Sequence, residues 1–406
     1  MSKINRRPLR HNHTTLGILA LLAIALTGCS GDKASQDQQP VGTRAEASSC
    51  QAVVTDHALA GFYQWADRIE AGEEPTVDDL SRLASQPAWD RWCRSFEPNV
   101  VPASHLGRTV FIALRGREEL PFKLRDKSYR LDTVSAYEIN LELRPQIEQF
   151  ITDFAAAELA CDVHRELQGW VPAELMPDTL YVDFVSSVPE IRFYEDHFMI
   201  DGGMALAAGK RQIVRSMSSV LYRQRMTVDG LAPDKAVGHG KVAQCMRLVY
   251  NEAIPAHIEE LTELAFDPRH GLLAHAAAIP EDLANQAILT LGSMNKMLAR
   301  LKDMPAPSEE QWQDVYRLFV GAQSWQPTGW FMAEVITNQL GEQGLRNATR
   351  SIPDFMAAYQ EACSMQPARP TAEPGTLEWY FQSAPKLSPE VATWMDGILR
   401  EAFPQE

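Results

Sequence analysis

The stretch that most constrains the fold is a helical pattern of apolar residues over residues 241–264. Apolar side chains recur there at steps of three to five residues, as expected for a helix with a buried face. They are Val242, Met246, Val249, Ile254, Ile258 and Leu261. The same stretch carries Glu252, and a glutamate on a half-buried helix costs free energy unless a metal ion, an arginine or a backbone amide pairs with it. The partner of Glu252 is therefore the first functional question that the sequence raises.

Most of the remaining chain is also helical in pattern, so the predicted class is mainly α with a minor β component (α+β). A helix is predicted over residues 52–70, and the chain after Gly203 is predicted to be helical to its end. Two β-rich stretches, Thr179–Ser186 and Ile191–Ile200, are separated by a turn and predict a small antiparallel sheet. We expect one mostly helical domain over residues 50–403.

The N-terminus has the pattern of a secretory signal. Residues 1–13 are basic, and residues 14–28 form an apolar run that is short for a transmembrane span. The run ends in ALTGC at Cys29, which resembles a bacterial lipobox. This resemblance implies a lipoprotein signal peptide over residues 1–29, with Cys29 as the lipidation site. An ordinary cleaved signal or a membrane anchor are the alternatives.

Residues 30–49 are polar and lack aromatic residues, which predicts a flexible tether. Ser30 follows the cysteine where an aspartate could stand, and similarity to enteric lipoproteins then implies the outer membrane, facing the periplasm. Acyl chains on Cys29 would attach the protein to the lipid bilayer of the bacterial cell envelope.

Net charge and cysteine content limit the partners, disulfides and metal sites that this chain can have. The net charge of −15 argues against a nucleic-acid partner, because such proteins carry basic patches. The envelope is oxidising and permits disulfides. We expect Cys50 to pair with Cys93, and the odd number of cysteines after Cys29 leaves at least one without a disulfide. The sequence contains no CxxC pair of the kind that binds structural zinc.

Three stretches together resemble a known class of enzymes. Leu248–Glu260 (LVYNEAIPAHIEE) is similar to a helix that supplies a third zinc ligand, and Pro327–Leu340 (PTGWFMAEVITNQL) is similar to a later helix of the same proteins. Thr179–Arg225 is similar to the strands and helix that carry H-E-x-x-H. These stretches resemble the gluzincin-type zinc metallopeptidases, specifically a poorly characterised group of bacterial zinc-dependent peptidases. The resemblance implies a peptidase-like helical domain with zinc as its cofactor.

The decisive motif of that family is missing. In H-E-x-x-H two histidines bind zinc from one helix face, the glutamate activates water, and a later glutamate completes the site. This sequence contains no H-E-x-x-H, and alignment on the family places residues 215–219 (RSMSS) there. The resemblance therefore implies a degenerate metal site of Arg215, Ser219 and Glu252, in which Arg215 can pair with Glu252. Glu252 could instead bind a metal, or be a surface or capping glutamate.

Two functions follow from these patterns. The first is an exported lipoprotein with a peptidase-like fold that is catalytically inactive, binds no cofactor and recognises a peptide or an envelope protein. The second is an active zinc-dependent peptidase with unusual ligands, such as His239, Glu252 and His257. His270 and His275 are five residues apart and would not share a helix face. An envelope lipoprotein unrelated to peptidases is a third possibility.

Overall fold

The structure is mainly helical and contains one small sheet. The computed structural model describes residues 50–404, apart from residues 98, 120–130, 155, 187–189, 233, 260–279 and 322. The strands are β1 (Gln51–Thr55), β2 (Thr179–Val185), β3 (Ile191–Tyr194) and β4 (His197–Asp201). The helices are α1 (His57–Glu70), α2 (Val77–Ser81), α3 (Pro87–Arg94), α4 (Ala103–Arg115), α5 (Leu131–Glu142), α6 (Arg144–Asp153), α7 (Ala156–Leu167), α8 (Gly202–Met226), α9 (Gly240–Glu259), α10 (Pro280–Lys302), α11 (Glu309–Val320), α12 (Trp325–Ala348), α13 (Ile352–Ser364), α14 (Leu377–Gln382) and α15 (Pro389–Ala402). The predicted mainly α class is confirmed.

The predicted signal peptide and tether, residues 1–49, lie outside the described residues. Residues 48–406 form one compact unit. Within the ranges described above, we find no helix that combines the length and the hydropathy needed to cross a membrane.

The sheet is mixed, and the prediction of an antiparallel sheet is wrong in this respect. Its strand order is β1-β2-β4-β3; β1 and β4 both run parallel to β2, and only β3 runs antiparallel to β4. Residues 51–55 form a strand where the helix was expected to begin. The β-branched Val53, Val54 and Thr55 favour extended backbone, and β2 supplies a pairing partner more than a hundred residues later in the chain. Local periodicity does not report a partner at that distance.

The disulfide joins Cys50 to Cys161, so the predicted Cys50–Cys93 pair is wrong. Helix α7 packs on β1, which brings the two Cα atoms to 5.3 Å, within the range that a disulfide spans. Cys93 lies buried in the core as a free thiol, and burial raises its pKa to about 12. The bridge closes a loop of 111 residues, a constraint on the unfolded chain worth roughly 4–5 kcal/mol in the chain-entropy model.

A buried carboxylate fastens α3 to the sheet. Asp183 of β2 accepts hydrogen bonds from Thr55 Oγ1 at 2.7 Å and from Arg91 Nη2 at 2.6 Å. The Nδ1 atom of His197 lies 2.9 Å from its Oδ2 atom. Because three polar partners replace water around the carboxylate, the charge of Asp183 is tolerated inside the protein.

The sheet delivers the chain directly into α8. Asp201, the last residue of β4, caps this helix by accepting a hydrogen bond from the Met204 amide at 2.9 Å, and Asn140 donates to the same carboxylate at 2.9 Å. The helix breaks at Gly209, whose φ of 74° is a conformation that glycine adopts readily. The break changes the direction of the helix axis, so that the second part of α8, from residue 210 onwards, runs beside α9.

Helix α9 lies in the centre of the C-terminal half. It contacts α8, α11, α12 and α15, and buried residues occur on most of its circumference. Its closest neighbour is α12, where a Cβ atom placed on Gly329 would lie 2.4 Å from the Val249 carbonyl oxygen. The two backbones therefore approach each other at a distance that only glycine permits. This close approach explains the glycine in the PTGWFMA stretch of α12.

We predict that Gly329→Ala lowers the free energy of unfolding by about 1–3 kcal/mol, because the added methyl group forces α12 away from α9. Gly292→Ala is the matched control, since Gly292 lies within α10 and a Cβ atom there would meet no atom within 4 Å. The control should be stabilised by up to about 1 kcal/mol through helix propensity. Urea unfolding followed by circular dichroism measures both, and equal stability of the two variants would contradict the packing argument.

Candidate functional site

One polar stripe on α8 faces α9. Ser216, Ser219 and Arg223 are spaced by three and four residues, which places them on one side of the helix. The apolar residues around them, such as Met217 and Leu221, are fully buried. A polar stripe inside an otherwise buried helix surface needs partners, and α9 supplies them.

The partners are two glutamates on α9. Glu252 and Glu259 are seven residues apart, two turns of helix, and so share the face that meets α8. We call Ser216, Ser219, Arg223, Glu252 and Glu259 the α8–α9 cluster.

Arg223 is the cation at the centre of this cluster. Its Nη2 and Nε atoms donate to Glu252 Oε2 at 3.0 and 3.3 Å. The same Nη2 atom lies 3.9 Å from Glu259 Oε2, and Nη1 donates to Ser219 Oγ at 3.0 Å. One guanidinium therefore links both carboxylates and a hydroxyl group.

The hydroxyl groups of α8 hold the second carboxylate. Ser216 Oγ and Ser219 Oγ donate to the two carboxylate oxygens of Glu259, each at 3.2 Å. Gln212 adds a hydrogen bond of 2.9 Å to the Glu259 carbonyl oxygen. Each side chain of the cluster thus has a partner on the opposite helix or on its own.

The cluster is half-buried and acidic. The side chains of Arg223, Glu252 and Glu259 are 27%, 22% and 20% exposed. Two carboxylates face one guanidinium, which leaves an excess negative charge between the helices. In this setting an ion pair is less screened than on the surface, and removal of its cation leaves charges that water only partly solvates.

The arginine of the predicted degenerate site is a different one. Arg215 does not occupy the position beside Glu252, because Arg223 does; the Nε atom of Arg215 lies 3.9 Å from Glu166 of α7 instead. One residue advances the helix by about 100°, so Arg215 points to a different side of α8 from Ser216. Ser219 and Glu252 both lie in the cluster, and the arginine that pairs with Glu252 is Arg223, not the predicted Arg215.

The alternative zinc ligands do not come together. His257 points to α12, where its Nδ1 atom lies 2.8 Å from Glu334 Oε1 and its ring packs against Trp170. His239 lies at the start of α9, with its Nε2 atom 3.9 Å from Glu401. Glu252 is bound by Arg223. Among the described residues, His239, Glu252 and His257 do not form a group that could hold a metal ion.

The donor atoms of the α8–α9 cluster do not fit zinc. Zinc sites in proteins use histidine nitrogen, cysteine sulfur and carboxylate oxygen, and a guanidinium has no lone pair to offer a metal. The cluster has neither histidine nor cysteine. Among the residues that the structure describes, no group of three or more His, Cys, Asp or Glu side chains could hold a metal ion. His270 and His275 lie outside the described residues.

Three members of the α8–α9 cluster were not predicted from the sequence: Arg223, Glu259 and Ser216. A signal was present, because polar residues at positions 216, 219 and 223 interrupt a buried helix at helical spacing. The sequence pattern also assigned no role to Asn251. The Asn251 side chain accepts from the Val228 amide and donates to the Val228 carbonyl, both at 3.0 Å, and so secures the loop between α8 and α9.

We predict that Arg223→Met lowers the free energy of unfolding by about 1–3 kcal/mol, since the two glutamates lose their shared cation. Arg225→Met is the matched control, because Arg225 makes a more exposed ion pair with Asp196 at 3.2 Å. We expect that control to stay within about 0.5 kcal/mol of the wild type. Thermal and urea unfolding measure both variants, and an Arg223→Met protein as stable as the control would contradict a central role for this cation.

Comparison with known proteins gives a family match for part of this chain. Residues 223–368 match the profile of a family described as "Putative zinc dependent peptidase (DUF5700)". The matched range covers Arg223, all of α9 and α12, and less than half of the chain; Ser216 and Ser219 precede it. Searches of curated proteins and of solved structures give no match. Over residues 223–368 the chain is thus similar to a peptidase-like family whose description names zinc.

Proposed function

We propose that this chain is a peptidase-like lipoprotein of the bacterial cell envelope that has no peptidase activity and acts as a binding module for a peptide or a partner protein. One observation carries the proposal: the guanidinium of Arg223 binds Glu252. Glu252 is the carboxylate that the resemblance to zinc peptidases marks as a metal ligand. An arginine bound to it is an inert partner.

The requirements of zinc catalysis support inactivity. A catalytic zinc needs three protein ligands and an open position for water. The side chains of α8 that face Glu252 and Glu259 are two serines and an arginine. Neither a ligand pair nor a general base is available on that face of α8.

The second candidate is a zinc-dependent peptidase, which the family description favours. Its ligands would have to include side chains from outside the α8–α9 cluster, because the cluster has neither histidine nor cysteine. Metal content and cleavage assays separate the two candidates directly.

The N-terminal pattern supports the anchoring part of the proposal. Acyl chains on Cys29 would insert into the bilayer, and the twenty residues that follow would span about 25 Å as a flexible coil. Such a tether leaves the domain free to meet a partner at the membrane surface.

We predict that the full-length protein, purified in detergent, contains less than about 0.1 zinc per chain and cleaves no peptide in a mixed library. The zinc content per chain is measured by elemental mass spectrometry, and peptide cleavage is measured with and without EDTA. Glu252→Gln serves as the matched variant. About one zinc per wild-type chain, lost in Glu252→Gln together with EDTA-sensitive cleavage, would establish the peptidase instead.

We predict that Cys29→Ser abolishes incorporation of an alkyne-labelled fatty acid in bacterial cells, because the lipid group that carries the fatty acids is attached through this thiol. Ser30→Asp is the control and keeps the label, since it leaves Cys29 in place. In-gel fluorescence measures both variants. A wild-type chain without label, or a Cys29→Ser chain with label, rules out lipidation at this residue.

A further inference from the structure

We propose that the guanidinium of Arg223 occupies the place of a divalent metal cation, and that positions 219 and 223 of α8, together with Glu252 of α9, form a latent metal site. The inference rests on the proposed function, because it concerns the same cluster. It adds which positions would bind the metal and which group has replaced it.

The spacing of positions 219 and 223 is that of a helical pair of metal ligands. They are four residues apart on α8, so their side chains project from the same face, about 6 Å apart along the axis. This is the relation between the two histidines of a helical zinc motif. Positions 215 and 219 have the same spacing, but the Nε atom of Arg215 lies 3.9 Å from Glu166 of α7, whereas Arg223 contacts Glu252.

The side chains at positions 219 and 223 already contact the carboxylates of α9. Ser219 Oγ reaches Glu259 at 3.2 Å, and Arg223 reaches Glu252 at 3.0 Å and Glu259 at 3.9 Å. Side chains at 219 and 223 therefore converge on one point between α8 and α9. A cation at that point would be within reach of an oxygen ligand from α9.

The net charge of the cluster also matches a divalent cation. In the wild-type cluster two carboxylates face a single positive charge, so one negative charge remains uncompensated by the cluster itself. A divalent cation bound by two neutral imidazoles would compensate both carboxylates. Arg223 supplies half of that charge permanently and needs no metal. The wild-type fold should therefore be independent of metal supply.

The test is to restore the ligand pair with the double variant Ser219→His/Arg223→His in the full-length protein. We expect about one zinc per chain and a melting temperature that rises when zinc is added, because a bound ligand stabilises the folded state. Adding Glu252→Gln to this variant should weaken zinc binding about tenfold or more. Ser219→His alone retains the Arg223 cation and should bind no zinc.

A second histidine pair controls for non-specific binding. Gln343→His/Asn347→His places two histidines four residues apart on α12, where the wild-type side chains form an exposed hydrogen bond of 3.2 Å. This pair should bind zinc at least about tenfold more weakly than the pair at 219 and 223, because it lacks the facing carboxylates. Isothermal titration with zinc chloride measures all the variants.

The outcomes separate this inference from the proposed function. A folded double variant that binds zinc no better than the α12 control overturns the latent site and leaves the proposed function intact. If the double variant does not fold, Arg223→His alone is titrated, and its failure to gain zinc-dependent stability likewise overturns the inference. A fall in the wild-type melting temperature in EDTA also overturns it. Zinc-dependent cleavage by the wild type would overturn the proposed function as well.

Discussion

The structure of the C-terminal half depends on the burial of α9. Neighbouring helices pack against most of its circumference, and Gly329 lets the backbone of α12 approach it closely. A charged side chain on a helix in this position loses much of its contact with water, which costs free energy. Glu252 and Glu259 nevertheless lie on it, so their negative charges cost free energy unless partners stabilise them. The guanidinium of Arg223 supplies one positive charge for the two carboxylates, and the serines of α8 complete the hydrogen bonds of Glu259.

A guanidinium and a metal ion meet this requirement in different ways. A bound metal can leave, exchanges with the medium, and polarises water. An arginine is covalently part of the chain, stays charged at any physiological pH and donates hydrogen bonds in fixed directions. The positive charge that Arg223 brings to the α8–α9 cluster therefore does not depend on a bound metal. This difference links a peptidase-like framework over residues 223–368 to the non-catalytic role that we propose.

The N-terminal half brings α8 to its place beside α9. The disulfide between Cys50 and Cys161 ties α7 to the sheet. The hydrogen bond from Arg91 to Asp183 ties α3 to the sheet. The sheet ends in β4, and Asp201 starts α8 at a fixed position. The break at Gly209 then sets the course of the second part of the helix. The geometry of the cluster thus depends on contacts between residues that are far apart in the sequence.

The sequence by itself determined the class of the fold, because helical periodicity is a local property and the apolar residues of α9 show it clearly. It also showed that H-E-x-x-H is absent, and it raised the question of a partner for Glu252 without answering it. Only the tertiary structure decided that the partner is Arg223, that Glu259 and two serines join it, that Cys50 pairs with Cys161 and that the sheet is mixed. Each of these depends on the relative placement of two elements. A pattern within one element cannot fix that placement, because it records which face is buried and not which residue lies opposite.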